Sequence, residues 1–178
     1  MKKFFTLFVL LSVILIPTTG CFAGGPWMGK VIEADTKKPI KGAAVVAVWY
    51  SDTTLNPAGS SRTPMKVEET ETNASGEFIF DSKYFADVPV FREVSGPLFL
   101  VYKPGYGNFP EYQTSPHPIP ENFCEKEVGI ILLPKFEKKE DRIKAYISAT
   151  GFKGSNSVRT EKLNQFIQNE EKYLGIEN

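Results

Sequence analysis

The run Ala43-Ala-Val-Val-Ala-Val-Trp-Tyr50 places an apolar side chain at every position. Neighbouring residues of a strand point to opposite faces, so a strand made from this run has no side to leave to water. It predicts a central strand covered on both faces. From Trp27 to about Pro134 the surrounding sequence is built from short runs of Val, Ile, Thr and aromatics divided by turn residues, which is strand chemistry. Trp27 to Ala34 alternates and ends at the turn Asp35-Thr36-Lys37-Lys38-Pro39. Ser51 to Pro64, rich in Ser, Thr, Pro and Gly, reads as a loop. Met65 to Thr72 reads as a strand, Asn73 to Gly76 as a turn, and Glu77 to Phe80 as the strand that follows. Leu98 to Lys103 and Val128 to Leu133 are further apolar runs, separated by a long loop from Pro104 to Glu125. Strands at this spacing predict an all-β sandwich over residues 27–134, with Phe78 and Phe80 facing its core.

After Pro134 the chemistry changes. Lys135 to Asp141 reads as a charged linker, and Arg142 to Ala149 as a short helix broken by Gly151 and Gly154. A last helix, capped by Ser157 and stopped by Gly175, runs to about Leu174. Leu163, Phe166, Ile167, Glu170 and Leu174 lie at helical spacing and give one apolar stripe interrupted by Glu170. The stripe predicts packing against the sandwich; a partner or dimer helix is the alternative. A chain of 178 residues suits one domain with a small helical appendage over 135–178.

The N-terminus carries different information. Met1-Lys2-Lys3 is basic, and Phe4 to Ile16 is apolar apart from Thr6 and Ser12. That stretch is short against the roughly twenty residues of a membrane span, and the order of basic, apolar and small residues is that of an export signal. It ends Pro17-Thr18-Thr19-Gly20-Cys21, which resembles a bacterial lipobox. The resemblance implies a lipoprotein-type signal over residues 1–21, diacylation of Cys21, and a membrane as partner through that group. Thr18 departs from the Leu-like residue usual there, and cleavage after Ala23 at Cys21-Phe22-Ala23 is the alternative. The short run Phe22 to Gly25 would hold the domain close to the bilayer. The expected location is the cell envelope, periplasmic or surface-facing.

Lys plus Arg and Asp plus Glu both number 21, so removal of Lys2 and Lys3 leaves a slightly acidic chain. Nothing in that balance points to nucleic acid. With Cys21 acylated or removed, Cys124 has no partner for a disulfide within one chain. His117, the single histidine, lies in Ser115-Pro116-His117-Pro118 and reads as solvated. No metal or cofactor site and no catalytic residue is expected. Alternation puts Glu69 and Glu71 on one face of their strand and Glu68 on the other, which reads as a solvated face.

Three stretches together resemble the carboxypeptidase regulatory-like domain family. They are Gly29 to Val45, matching G-x-V-x-D followed by T-G-x-P-[LI]-x-G-A-x-V; Thr72-Asn73-Ala74-Ser75-Gly76-Glu77-Phe78, matching T-D-x-x-G-x-F; and Lys103-Pro104-Gly105-Tyr106, matching a closing G-Y. Glu33, Lys37 and Asn73 depart mildly from the pattern. The resemblance implies a transthyretin-like, or prealbumin-like, Greek-key sandwich serving as an accessory module without catalytic machinery. Hydroxyisourate hydrolases share that fold, but they carry several active-site histidines and end Tyr-Arg-Gly-Ser; this chain ends Leu-Gly-Ile-Glu-Asn.

The segment Pro104 to Pro120 holds five prolines among Tyr106, Phe109 and Tyr112. Stiff aromatic loops suit recognition of peptides or sugars, which makes these three the candidate ligand-binding residues toward an envelope protein or carbohydrate. Rings folded back on the sandwich are the alternative. The sequence thus predicts an exported, lipid-anchored, non-catalytic β-sandwich with a structural or binding role. An accessory subunit of an envelope hydrolase or peptidase, or a weak hydrolase, is the competing reading.

Overall fold

Every residue from Ala44 to Tyr50 is buried, as a strand apolar at each position requires. The computed structural model describes residues 21–22, 24–53, 61–85, 88, 92–111, 129–151 and 160–176. Its strands are β1 (Cys21–Phe22), β2 (Trp27–Glu33), β3 (Ala44–Thr53), β4 (Arg62–Glu71), β5 (Glu77–Phe80), β6 (Tyr84–Phe85), β7 (Arg92–Tyr102) and β8 (Gly129–Leu133). Two helices follow, α1 (Lys139–Thr150) and α2 (Glu161–Leu174).

The strands form two three-stranded sheets, ordered β5-β2-β8 and β4-β3-β7, and a small β1-β6 pair. In the first sheet β2 is antiparallel to β5 and parallel to β8. In the second, β3 is antiparallel to both neighbours. The chain passes from one sheet to the other after β2, and again between β4 and β5.

The alternation of β3 divides its side chains between two cores. Val45, Ala47 and Trp49 enter the space between the sheets with Trp27, Val31, Phe78, Phe80, Phe99, Val101 and Ile131. The rings of Trp27 and Trp49 meet edge to face at 5.5 Å, and Phe78, Phe80 and Phe99 lie about 6 Å from one another, a spacing that suits aromatic pairs. Val46, Val48 and Tyr50 point the other way, with Leu100 and Tyr102 of β7, onto Ala149, Leu163 and Ile167. The two helices therefore cover the outer face of the β4-β3-β7 sheet, giving three layers. The stripe of α2 packs as expected: Leu163, Ile167, Glu170 and Leu174 are buried, and Gly175 stops the helix at φ 67°.

Several boundaries differ from the sequence expectation. The loop expected over Ser51 to Pro64 is shorter, because β3 continues to Thr53 and β4 begins at Arg62; residues 54–60 lie outside the described residues. Pro64 falls within β4, which is tolerated because β4 is an edge strand. Strand β7 starts at Arg92 rather than Leu98. Ser95-Gly96-Pro97 lies inside the strand as an irregularity opposite Val48 and Tyr50, where Gly96 takes φ 103° and pairing resumes beyond it. Helix α1 absorbs the last three residues of the expected linker, starting at Lys139. Helix α2 starts at Glu161 after Thr160, and Ser157 lies outside the described residues.

Candidate functional site

One end of the sandwich gathers three distant stretches: the β2–β3 turn, the β4–β5 turn and the segment after β7. Thr72 joins the first two. Its hydroxyl donates to the carbonyl of Ile40 at 2.6 Å and accepts the backbone N–H of Ala43 at 2.8 Å. Backbone bonds extend the tie, Gly42 N–H to Thr72 O at 2.8 Å and Val31 N–H to Gly76 O at 2.7 Å. Asn73 shapes the turn itself, its Oδ1 accepting from the N–H groups of Ser75 and Glu77, as Asx turns do. Gly76 has φ 76°, and a Cβ there would lie 2.4 Å from Val31 O; both the torsion and the close approach demand glycine.

The third stretch closes over this end. Lys103 Nζ donates to Lys41 O and sits 6.0 Å from the centre of the Tyr106 ring. Burial lowers the pKa of Lys103 against the opposing charge of Glu71. Tyr106 donates its hydroxyl to Glu33 Oε2 at 3.2 Å. Burial, then that carboxylate, raises the Tyr106 phenol.

Beyond Tyr106 the segment straps the two sheets together. Gly107 N–H donates to Pro134 O and Phe136 N–H to Gly105 O, both at 2.8 Å. Phe109 exchanges backbone bonds with Val101 at 3.0 and 3.3 Å. These bonds turn the Phe109 ring inward, 7% exposed, among the residues of the inter-sheet core. The structure thus places Phe109, one of the three candidate ligand contacts, in the core as the alternative reading had it: paired with the buried Val101, it has little ring surface left to offer. Tyr106 is partly buried against the same core. Tyr112, His117 and Cys124 lie outside the described residues.

The strap also meets α1. Buried Asn108 donates to Ser148 Oγ at 3.0 Å, and Ser148 donates to Glu111 Oε2 at 3.2 Å. A shallow cleft beside this contact is lined by Glu111, Lys144, Ile147, Ser148 and Gly151.

The acidic strand β4 has a use that its sequence does not announce. Glu69 is not merely solvated. Its carboxylate accepts the N–H groups of Lys162 and Leu163 at 2.9 and 2.8 Å and the hydroxyl of Thr160. Those amides are unpaired at any helix start, so Glu69 caps α2 from another element. Glu71 pairs with Lys162 at 2.8 Å, while Glu68, on the opposite face, pairs with Lys66 and Lys83. Among the described residues, no three His, Cys, Asp or Glu side chains group as metal ligands would.

At the other terminus of the described chain, Cys21 and Phe22 pair with Phe85 and Tyr84, and Trp27, six positions after Cys21, is 1% exposed. No helix among the described residues is long and apolar enough to cross a membrane. The fold and site define a β-rich sandwich backed by two helices. Searches against protein-family models, curated proteins and solved structures found no match to this chain.

Proposed function

We propose that this protein is an exported, lipid-anchored and non-catalytic β-sandwich with a structural or binding role at the cell envelope. The observation that carries the reading is the succession at the N-terminus: Lys2-Lys3, the apolar run Phe4 to Ile16, Gly20-Cys21, and then a core tryptophan at position 27. An anchor at Cys21 is joined almost directly to the folded interior. The polar groups at the loop end favour a structural role over chemistry, because Thr72, Lys103, Tyr106 and Glu33 are spent on bonds that hold the turns together.

The finer fold reading is a transthyretin-like Greek-key sandwich of the carboxypeptidase regulatory-like kind. Two observations favour it. The three stretches that carry the resemblance converge on one end of the sandwich through Thr72, Gly76 and Lys103. The chain also passes between sheets rather than completing either one first, as Greek-key sandwiches do. With Phe109 in the core, recognition of an envelope protein or carbohydrate by the proline-rich segment rests on Tyr106 and Tyr112.

The test of anchoring is metabolic labelling with a radioactive fatty acid, followed by membrane fractionation. The wild-type chain should carry label and sediment with membranes, since two acyl chains give stable attachment; Cys21→Ser should lose both. A soluble, unlabelled wild type whose mature N-terminus is Gly24 refutes the proposal.

A further inference from the structure

The stretch that joins Cys21 to the core is folded onto the sandwich instead of hanging from it. Strand β1 pairs antiparallel with β6, Cys21 beside Phe85 and Phe22 beside Tyr84. Gly24 O accepts the N–H of Lys83 at 3.3 Å. Gly24 and Gly25 take φ 70° and 107°, and a Cβ on Gly25 would lie 2.7 Å from both Ser82 Cα and the Trp27 ring. The arm therefore turns where it runs against residues 82–83, with no room for a side chain. The segment it pairs with is fixed in turn. Lys83 pairs with Glu68 of β4 at 2.9 Å, and the Phe85 ring lies 6.5 Å from that of Trp49. Trp27, where the arm ends, meets the same Trp49 edge to face. Both halves of this clasp thus end on one fully buried tryptophan.

We propose that the clasp makes the acylated terminus a rigid part of the fold, so that the sandwich stands end-on at the membrane, with Trp27 and β6 lowest and the turns of Lys41, Asn73 and Tyr106 at the far pole. The inference rests on the acylated Cys21 read above and adds an orientation to it. A lipid anchor by itself fixes one point, and a flexible tether leaves the domain free to swing about it. A tether bonded to the domain removes that freedom. The direction follows from the strands. Strand β2 leaves the clasp at Trp27 and reaches the loop end at Glu33, about 20 Å further on at the rise of a strand. There Tyr106 bonds Glu33 and Gly76 bonds Val31. Strand β5 returns from Glu77 beside Lys30 to Phe80 beside Trp27 and leads into β6. The end at which Thr72 and Lys103 tie three turns together is therefore the one that a partner in the envelope space meets first, and residues 81–85 lie nearest the lipid.

Ser75 and Asp81 are exposed at opposite ends of β5 and give two heights to compare. Ser75→Cys and Asp81→Cys are made separately in a Cys124→Ser chain, and each thiol is coupled to a fluorophore. The acylated full chain is then placed in vesicles of phosphatidylethanolamine and phosphatidylglycerol that carry a nitroxide quencher in the lipid phase. The fluorophore at position 81 should be quenched several-fold more than the one at position 75. A Gly-Ser insertion of about twenty residues between Ala23 and Gly24 adds a coil spanning about 25 Å, as long as the difference in height. It should leave the thermal midpoint unchanged and bring the two quenching values together. Equal quenching at the two positions in an acylated, vesicle-bound chain without the insertion overturns this inference alone, as does an insertion that leaves their ratio as it was. An N-terminal peptide that mass spectrometry finds without acyl chains overturns the anchoring and this inference together.

Discussion

Arg142 of α1 grips Glu170 of α2 at two points, Nε to Oε1 and Nη2 to Oε2, each at 2.7 Å. Glu170 is 1% exposed, and the guanidinium also stacks 3.7 Å from the centre of the Tyr173 ring. A charge this deep is tolerated only while its partner is present. Glu170→Ala should therefore destabilise by about 3–5 kcal/mol, the range for breaking one side of a buried pair. Arg142→Met combined with Glu170→Leu removes both charges and should recover most of the loss. Urea midpoints of the single and double variants decide it; a double variant no better than the single one shows that geometry, not unpaired charge, sets the cost.

The cap on α2 gives a second prediction. Glu69 takes the amides that an N-cap side chain ordinarily takes, from 93 and 94 residues away in sequence. Its charge also meets the positive end of the helix dipole. Glu69→Ala should cost about 2–3 kcal/mol, as for hydrogen bonds to a charged group. Glu69→Gln, which keeps one acceptor, should cost about half of that. Hydrogen exchange should show the first turn of α2 opening before the sheets; exchange unchanged at Lys162 and Leu163 rules the cap out.

Such a cap explains what the sequence does and does not disclose. Strand β3 was legible because eight apolar positions in a row have one solution, burial on both faces. The stripe Leu163, Ile167, Leu174 was legible because its period is helical. Glu69 was not, because its partners are local to a different element, and three acidic residues in a strand look alike whether solvated or bonded. The start of β7 was hidden by Ser95-Gly96-Pro97, whose local signal is a break while the tertiary context makes an irregular strand. Phe109 was hidden for the same reason: its neighbours Gly107 and Pro110 read as loop, and a ring that enters the core from a loop has no period to reveal it. Of the candidate recognition residues, the sequence could rank aromatic content but not depth.

Phe109 also yields a test. Truncating a ring buried in the inter-sheet core should cost about 3–5 kcal/mol, so Phe109→Ala should be as damaging as Phe78→Ala. Phe109→Leu, which keeps much of the volume, should cost about half. Thermal midpoints of the three variants check this. A Phe109→Ala chain as stable as wild type would return the ring to the list of surface residues.

Tyr102 supplies the pH dependence. It is 1% exposed in the layer between β7 and the helices, and its hydroxyl has no hydrogen-bond partner among the described residues. Burial above all, then the negative charge of Glu170, raises its pKa well above the ordinary phenol; Arg142 pulls the other way and Tyr146 adds a little. Burial likewise raises Tyr50, opposed by Arg62. A raised phenol means that the folded chain keeps its proton where the unfolded chain releases it, above pH about 10. The contribution is thus complete below that pH and is lost as the pH rises further. Wild-type stability should fall steeply on the alkaline side. Tyr102→Phe removes the largest of these protons and also the unpaired hydroxyl, so it should flatten the alkaline limb and leave neutral stability equal or higher by about 1 kcal/mol. Urea midpoints from pH 7 to pH 11 read both effects. A variant less stable than wild type at neutral pH would mean that the hydroxyl has a partner, and an unchanged alkaline limb would place the titrating groups elsewhere.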